Sequence, residues 1–449
     1  MYIPTAPLRE NPVLTAYKER CKSLLSEITV LQARQRTLFT FLLGAVFVSA
    51  VLSLLALNGE RRLVFVILGV VIASVLATRN LLRLRAQSLE LAHRASFYER
   101  GIDRLAENWR GKGCDGLDFA RDGHLYQDDL AILGEGSLFE LLCTTRTEVG
   151  AERLASYLLD PATLEESRMR QEAIMELRSA TDLREEIALL GKYHFQTCNG
   201  ARLRDWLKEP ILRTPRLVPL FLLISSVLVL LLGVGALTLI LSYGRAVPIL
   251  LPLLFAQAVI GFVLRRPIRL HDKILCTLSN DVSVLRQGIS LIQSQTFHAP
   301  KLRALVDSIR SHDAILRAHK LERLLALIDK RQDQILYAFG LWLALGTQLV
   351  LSVERWRASN QSEFETALEA WAEFEALNAL AGYAYEHSED VFPELLHGDA
   401  VFEAVNLCHP LLPREGSVGN DVALNDSTAF YVISDRTWRA KAHSCEQSD

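Results

Sequence analysis

The side chains best suited to meet a ligand lie toward the carboxyl end of the chain. His409-Pro410 and Gly419-Asn420-Asp421 are its candidate ligand contacts. The same residue types can instead serve the backbone, with His409 capping a turn and Asn420-Asp421 forming an Asx turn, and both readings stand. His298, His312 and His319 lie on one helical stretch. They read as solvated surface histidines rather than a metal site, so no metal is expected. Glu363, Glu365, Glu369, Glu373 and Glu375 form an acidic run at helical spacing, which reads as a solvated face rather than a catalytic one. No G-x-S-x-G, H-E-x-x-H or G-x-x-x-x-G-K-S pattern occurs, and no catalytic residue is assigned.

The elements that must position these residues are short. Ala400 to Val405 and Phe430 to Ser434 are apolar, β-branched or aromatic runs bounded by turn residues, and each reads as a strand. Asn420-Asp421 and the glycines between them read as loop. A strand ending in a small residue is how a phosphate-binding loop begins, with a glycine-rich turn and a helix to follow. After Ser434 the chain instead runs DRTWRAKAHSCEQSD, with no glycine and no helical period.

Half the residues are hydrophobic, which points to membrane spans. The net charge of −3 predicts no nucleic-acid partner from the whole-chain balance. Seven cysteines are scattered without a C-x-x-C pair, so neither a disulfide framework nor a zinc site is signalled. Reduced thiols facing a cytosol are the reading. The charged N-terminus, with no early apolar core, does not read as a cleaved signal peptide.

In chain order, residues 1–36 are a polar cytoplasmic segment with a short amphipathic helix over Tyr17 to Gln35. Residues 37–78 are a transmembrane hairpin, with uncharged arms Leu38 to Leu57 and Leu63 to Thr78. Residues 79–123 are a helical linker ending in turns between Gly111 and Gly123. In 124–216, Ser137 starts one helix, and Thr147 or Glu148 starts another that turns Leu154, Tyr157 and Leu158 inward. Residues 217–264 are a second hairpin, its arms Leu217 to Ser242 and Ala246 to Leu264 parted by Tyr243-Gly244-Arg245, with Pro219, Pro248 and Pro252 near the ends. Residues 265–395 are helical. Within them the uncharged stretch Ile335 to Val353 reads as a buried core helix rather than a fifth span. Arg79, Arg83, Arg85, Arg213, Arg216, Arg265, Arg266 and Arg269 flank the hairpins and place the soluble parts in the cytoplasm. The chain reads as mainly α.

Two blocks carry a resemblance. HLYQDDLAILGEGSLFELLCTTRTEVGAERLASYLLDP (124–161), followed by Arg170 to Ile174, looks like the start of the MutS core domain. Phe392 to Leu395, Val401 to Ala404, His409 to Pro413, Gly419 to Asp421 and Tyr431 to Ser434 resemble the opening of the MutS-type ATPase domain, as does the helix FEALNALAGYAYE before them. The resemblance implies a MutS-type helical core and, over 396–434, the beginning of an incomplete α/β ATPase domain. It implies that the loop Ser417 to Asn420 approaches an adenine, making His409, Val418, Asn420 and Asp421 the cofactor-binding residues. Ser417 stands where some relatives stack an aromatic on the base. Soluble MutS proteins lack membrane spans, so the likeness is to the membrane-attached MutS-related proteins, in a multi-pass inner (plasma) membrane.

In that family a G-x-N-M-x-G-K-S-T loop follows the strand at once. Reading 435–449 one base back makes the first two bases of each present codon the last two of a new one. Asp435 to His443 can then encode G-S-N-M-A-G-K-S-T, and Ser444 onward L-L-R-T. A one-base slip after Ser434, leaving 435–449 an aberrant tail, is the expectation. The complete relative is expected to bind ATP and Mg²⁺, to form a homodimer and to close on DNA in a repair-like role. The chain as written is expected to hold neither cofactor well. No block resembles the family's N-terminal mismatch-reading domain. A basic DNA surface would need Lys301, Arg303, Arg310, Arg317, Lys320 and Arg323. The alternative is a non-enzymatic membrane scaffold whose cytoplasmic helices bind a protein partner.

Overall fold

The structure is a computed structural model and describes residues 11–56, 63–191, 201–211, 215, 217–238, 243–311, 314–330, 344–398, 401–413, 417–428 and 430. It is mainly helical and divides into two compact units, Met1–Val391 and Phe392–Asp449.

The first unit begins with two long helices, α1 (Pro12–Ala56) and α2 (Leu63–Leu105), packed along each other. The sequence suggests a short amphipathic helix, a span and a separate charged helix, yet each arm is continuous. At about 1.5 Å per residue a helix of 45 residues is far longer than the ~20 needed to span hydrocarbon, and each arm has an apolar half and a polar half. In the polar half Tyr17, Cys21, Leu24 and Ile28 of α1 are buried against Ala95 and Tyr98 of α2. The rings of Tyr17 and Tyr98 meet edge to face at 5.4 Å. Gln35 ties the arms where the character changes, its amide donating to the Leu84 carbonyl at 3.0 Å.

Among the described residues three helices are long and apolar enough to cross a membrane. They lie within Pro12–Leu52 of α1, Leu217–Ala236 of α8 (Leu217–Leu237) and Ala246–Val263 of α9 (Tyr243–Val263). Phe41, Phe47, Leu231, Phe255 and Phe262 stand exposed on them. The start of α2 bares Val66, Leu68, Val71, Val75 and Leu76 but is not one of the three. Helix α9 runs through Pro248 and Pro252, which lie inside it rather than at its ends. Where α8 and α9 meet, Gln257 donates to Ser225 at 2.9 Å and to Ser226 at 3.3 Å.

The remaining helices surround α13 (Leu345–Glu386). These are α3 (Leu138–Leu142), α4 (Glu148–Leu159), α5 (Leu164–Arg178), α6 (Thr181–Ala188), α7 (Ala201–Lys208), α10 (Arg265–Ser294), α11 (Pro300–Ser311) and α12 (Ala314–Lys330). Three begin as their sequences direct. Ser137, Thr147 and Thr163 are N-caps whose hydroxyls accept from the backbone N–H groups of Glu140, Gly150 and Glu166. Helix α13 buries Phe364, Leu368, Trp371, Phe374 and Leu377. Trp371 and Phe374 stack at 6.1 Å, and Phe297 closes on Phe374 at 5.9 Å. Of the stretch read as a buried core helix, 335–343 lie outside the described residues. The remainder begins α13, with Val350, Leu351 and Val353 buried. Gln348 there donates to Ser226 at 2.8 Å and to the Leu222 carbonyl at 3.1 Å, which joins α13 to α8.

The second unit holds an antiparallel pair, β1 (Phe402–Leu407) and β2 (Asn420–Leu424), in register Phe402 to Leu424, Glu403 to Ala423 and Ala404 to Val422. The expected strand Ala400 to Val405 is β1 moved toward the C-terminus. Of the other, Phe430 to Ser434, only Phe430 is described, and it is not in a strand; the rest, with the tail 435–449, lies outside the described residues.

Candidate functional site

Asn420 and Asp421 are not loop residues, as their turn-forming character suggests, but the start of β2. The ladder decides this. Val422 and Leu424 alternate inward opposite Ala404 and Phe402, and the pairing extends back to Leu407 with Asn420 across a bulge. Asn406 occupies that bulge with a left-handed φ of 56°. Its backbone N–H donates to the Asp421 carboxylate at 2.8 Å, so Asp421 holds the bulge. Gly419 lies against the Asn406 carboxamide, where a Cβ would collide. The Asn420 side chain donates to the Val418 carbonyl at 3.2 Å.

Asp421 and Gly419 thus meet Asn406, while Asn420 reaches back to Val418. His409 serves its own turn: its Nδ1 accepts from the Leu411 N–H at 3.2 Å, and its carbonyl accepts from Leu412. The Asx turn falls further on, at Asn425, whose Oδ1 accepts from the N–H groups of Ser427 and Thr428, each at 3.0 Å. His409, Val418, Asn420 and Asp421 are all exposed. The geometry is that of a hairpin edge with its polar groups turned to backbone work.

Sequence reasoning missed the use of the acidic run on α13. Glu363, Glu369, Glu373 and Glu375 reach other helices, while Glu365 bonds Gln361 of its own helix and Glu369 stays partly exposed. Glu369 pairs with Arg153 of α4 and Arg204 of α7, the latter at 2.8 Å. Glu373 meets Lys301 at 2.6 Å and the Tyr157 hydroxyl at 2.7 Å. Glu363 lies 3.6 Å from Arg317. Glu375 is 1% exposed and caps α4: the Arg146 N–H donates to it at 2.8 Å, and the Thr147 hydroxyl donates to its other oxygen. Gly150 permits the approach, because a Cβ there would run into the Glu375 carboxylate. Burial pushes the Glu375 carboxyl up to about 7 against the pull of Thr147 and Arg146. One signal was readable: Thr147 has glycine, not Glu or Gln, three residues on, so α4 lacks its own capping-box carboxylate.

The proposed basic surface is correspondingly reduced. Lys301 is held by Glu166 and Glu373, Arg317 by Asn360 and Glu363, and Arg310 by the Gln293 carbonyl. Arg303, Lys320 and Arg323 are exposed. His298 is exposed and His319 is half-buried beside Glu322; His312 lies outside the described residues.

A cavity of about 360 Å³ opens between the polar half of α1 and α2 and the core. Arg100, Arg104, Arg146 and Arg184 line it with Tyr17 and Trp109. Glu386 holds Arg104 through two bonds of 2.7 and 2.5 Å. Burial, with Arg146 and Arg104 nearby, lowers Arg100 to about 10. Glu99, Asp103, Glu140 and Glu148 stand on the same walls, so the charge of the cavity is mixed.

No protein-family model, curated protein or solved structure matches the chain.

Proposed function

We propose that the chain is a membrane-anchored relative of the MutS proteins. Its helices would be the core that joins DNA-gripping levers to an ATPase, and residues 396–434 would lead into that ATPase. The complete relative would bind DNA in an ATP- and Mg²⁺-dependent way as a homodimer. The observation that carries the proposal is the run from Asp435 to His443, which one base back can encode G-S-N-M-A-G-K-S-T directly after the strand-like residues. Such a loop would supply the backbone cradle, the phosphate lysine and the Mg²⁺-binding hydroxyl of a nucleotide site. A helix of 42 residues that is hydrogen-bonded to a candidate span at one end and clamped to α4 further along also suits a lever. The membrane would be the inner membrane, crossed by two hairpins with the soluble parts in the cytoplasm.

The test is the nucleotide sequence around the Ser434 codon. The proposal expects the glycine-lysine-serine-threonine loop in the other frame, and a gene without it overturns the proposal. The frame-restored protein in detergent should then hydrolyse ATP and retard DNA in a salt-dependent way, with hydrolysis lost when the loop lysine becomes alanine.

A second reading is favoured by the ion pairs that occupy Lys301 and Arg317. The cytoplasmic helices would then form a scaffold for a protein partner, and the solubilised protein would not retard DNA at low salt.

A further inference from the structure

We propose that Cys114 and Cys143 form a reversible dithiol–disulfide site in which Cys114 is the thiol that attacks peroxide and Cys143 is the resolving thiol. The site stands apart from the MutS reading. Both residues are free cysteines, both line the cavity between α1–α2 and the core, and both pack against the cluster of Phe139, Leu142 and Leu154. Cys143 is the first influence on the titration of Cys114, and Cys114 on that of Cys143, which sets the two thiols side by side on the shared cavity wall.

The backbone on either side of Cys114 is fastened to α3, whose C-cap is Cys143. The Gly113 N–H donates to Glu140 at 2.9 Å. Gly116, with φ of 71°, lies against the Phe139 ring, and the Asp115 carbonyl accepts from Gly134 at 2.8 Å. The sulfur is therefore delivered to Cys143 by residues before and after it, not by a loose loop. Cys143 also lies 3.4 Å from the Thr145 hydroxyl.

The environments of the two thiols assign their roles. The hydrogen bond from Cys143 and the Gly116 N–H lower Cys114 to about 7, against burial and the nearby Asp115 and Asp118. The bond to Cys114 and burial raise Cys143. Of the two, Cys114 is thus the thiol that ionises first, and the thiolate is the nucleophile.

Hydrogen peroxide is the oxidant. The Cys114 thiolate attacks one peroxide oxygen, the O–O bond breaks, and hydroxide leaves to become water with a proton from solvent. Cys114 is then a sulfenic acid, two electrons having passed from sulfur to oxygen. The Cys143 sulfur attacks that of Cys114, the S–O bond breaks, and the S–S bond forms. The departing hydroxide takes the Cys143 proton. Two thiols and one peroxide give one disulfide and two waters, and a small thiol reverses the bridge by exchange. The bridge would pin the 113–116 loop to the end of α3, four residues before the Thr147 cap of α4.

The experiment uses the full chain in detergent, treated with a small excess of hydrogen peroxide, alkylated and digested without reductant. Mass spectrometry is expected to find a peptide joining Cys114 to Cys143, lighter by two hydrogen atoms than the reduced pair and separated by dithiothreitol. Exposed Cys408 should remain alkylated. Cys143→Ser should leave Cys114 as a sulfenic acid that dimedone traps, and Cys114→Ser should leave Cys143 a thiol at the same dose. The proposal is overturned if the unsubstituted protein keeps both thiols, or if Cys114 oxidises no faster than Cys408. The unsubstituted protein decides this alone, so a variant that misfolds does not obscure the answer.

Discussion

Glu375 is a carboxylate used for architecture, and its titration makes that use measurable. In the unfolded chain it ionises near the ordinary value of 4.5; in the fold, burial carries it up to about 7. The folded state therefore keeps its proton over a range in which the unfolded state has lost it. Its contribution to stability is fully present below that range, falls as pH rises through it, and levels off above it. The span corresponds to about 3 kcal/mol, as an order of magnitude. Glu375→Gln keeps an acceptor for the Arg146 N–H but cannot ionise. Thermal unfolding in detergent at pH 5 and pH 7.5 should show a fall in Tm for the unsubstituted protein and a clearly smaller one for the variant. Equal falls would mean that other groups set the pH response. How little of this was legible has a physical reason. The Ser137, Thr147 and Thr163 caps follow local rules, because each hydroxyl bonds a backbone N–H three residues on. The partners of Glu369, Glu373 and Glu375 come from α4, α7 and α11, and no local spacing reveals them.

Among the elements, α13 shows how a helix can be held by its polar residues as firmly as by its apolar ones. Arg357 is fully buried, with its guanidinium on Glu354 at 2.6 Å, on the Trp206 carbonyl and on the Pro210 carbonyl at 3.2 Å. It also lies over the Trp206 ring at 5.1 Å, so one side chain fastens α7 and the residues after it to α13. Arg357→Ala should cost about 3–5 kcal/mol, because Glu354 stays buried after its guanidinium has gone. The double variant Arg357→Met with Glu354→Leu should recover much of that loss, since apolar side chains of similar volume need no charged partner. Denaturant unfolding followed by Trp fluorescence gives both numbers. A double variant as unstable as the single one would show that packing shape, not charge, is what Arg357 supplies. At this scale the apolar period of α13 was plain from Phe364 to Leu377, but the continuity of α1 and α2 was not. Their composition changes between charged and apolar partway along, and a change of composition suggests a boundary where the backbone has none. The start of β2 was hidden for the opposite reason. Asn420-Asp421 has turn character, and only pairing with the distant β1 makes it strand.

Among the described residues, hydrogen bonds around Ser226 join the apolar helices α8 and α9 to α13 of the helical core. Gln257 of α9 and Gln348 of α13 both reach Ser226 of α8. Amide–hydroxyl bonds of this kind hold helices together where lipid gives no hydrophobic drive. The number of crossings has a consequence for sidedness that the proposed arrangement makes definite. In the proposed arrangement two hairpins would return the chain twice, so the residues before α1 and those of β1 would share a compartment, and the turns near Asn58 and Gly244 would lie across the membrane. Three crossings would instead put the first residues and β1 on opposite sides. Arginines on the outer flanks of both hairpins favour the even number, since positive charge stays cytoplasmic. Asn58→Cys, made in a protein whose native cysteines other than Cys408 are serine, should react with a membrane-impermeant maleimide from outside intact cells. The exposed Cys408 should react only in inverted vesicles, as should a cysteine placed at Thr5. Reaction of the Thr5→Cys and Cys408 thiols from opposite faces would reduce the count to an odd number and would remove the ground for placing the N-terminal segment beside the helical core in the cytoplasm.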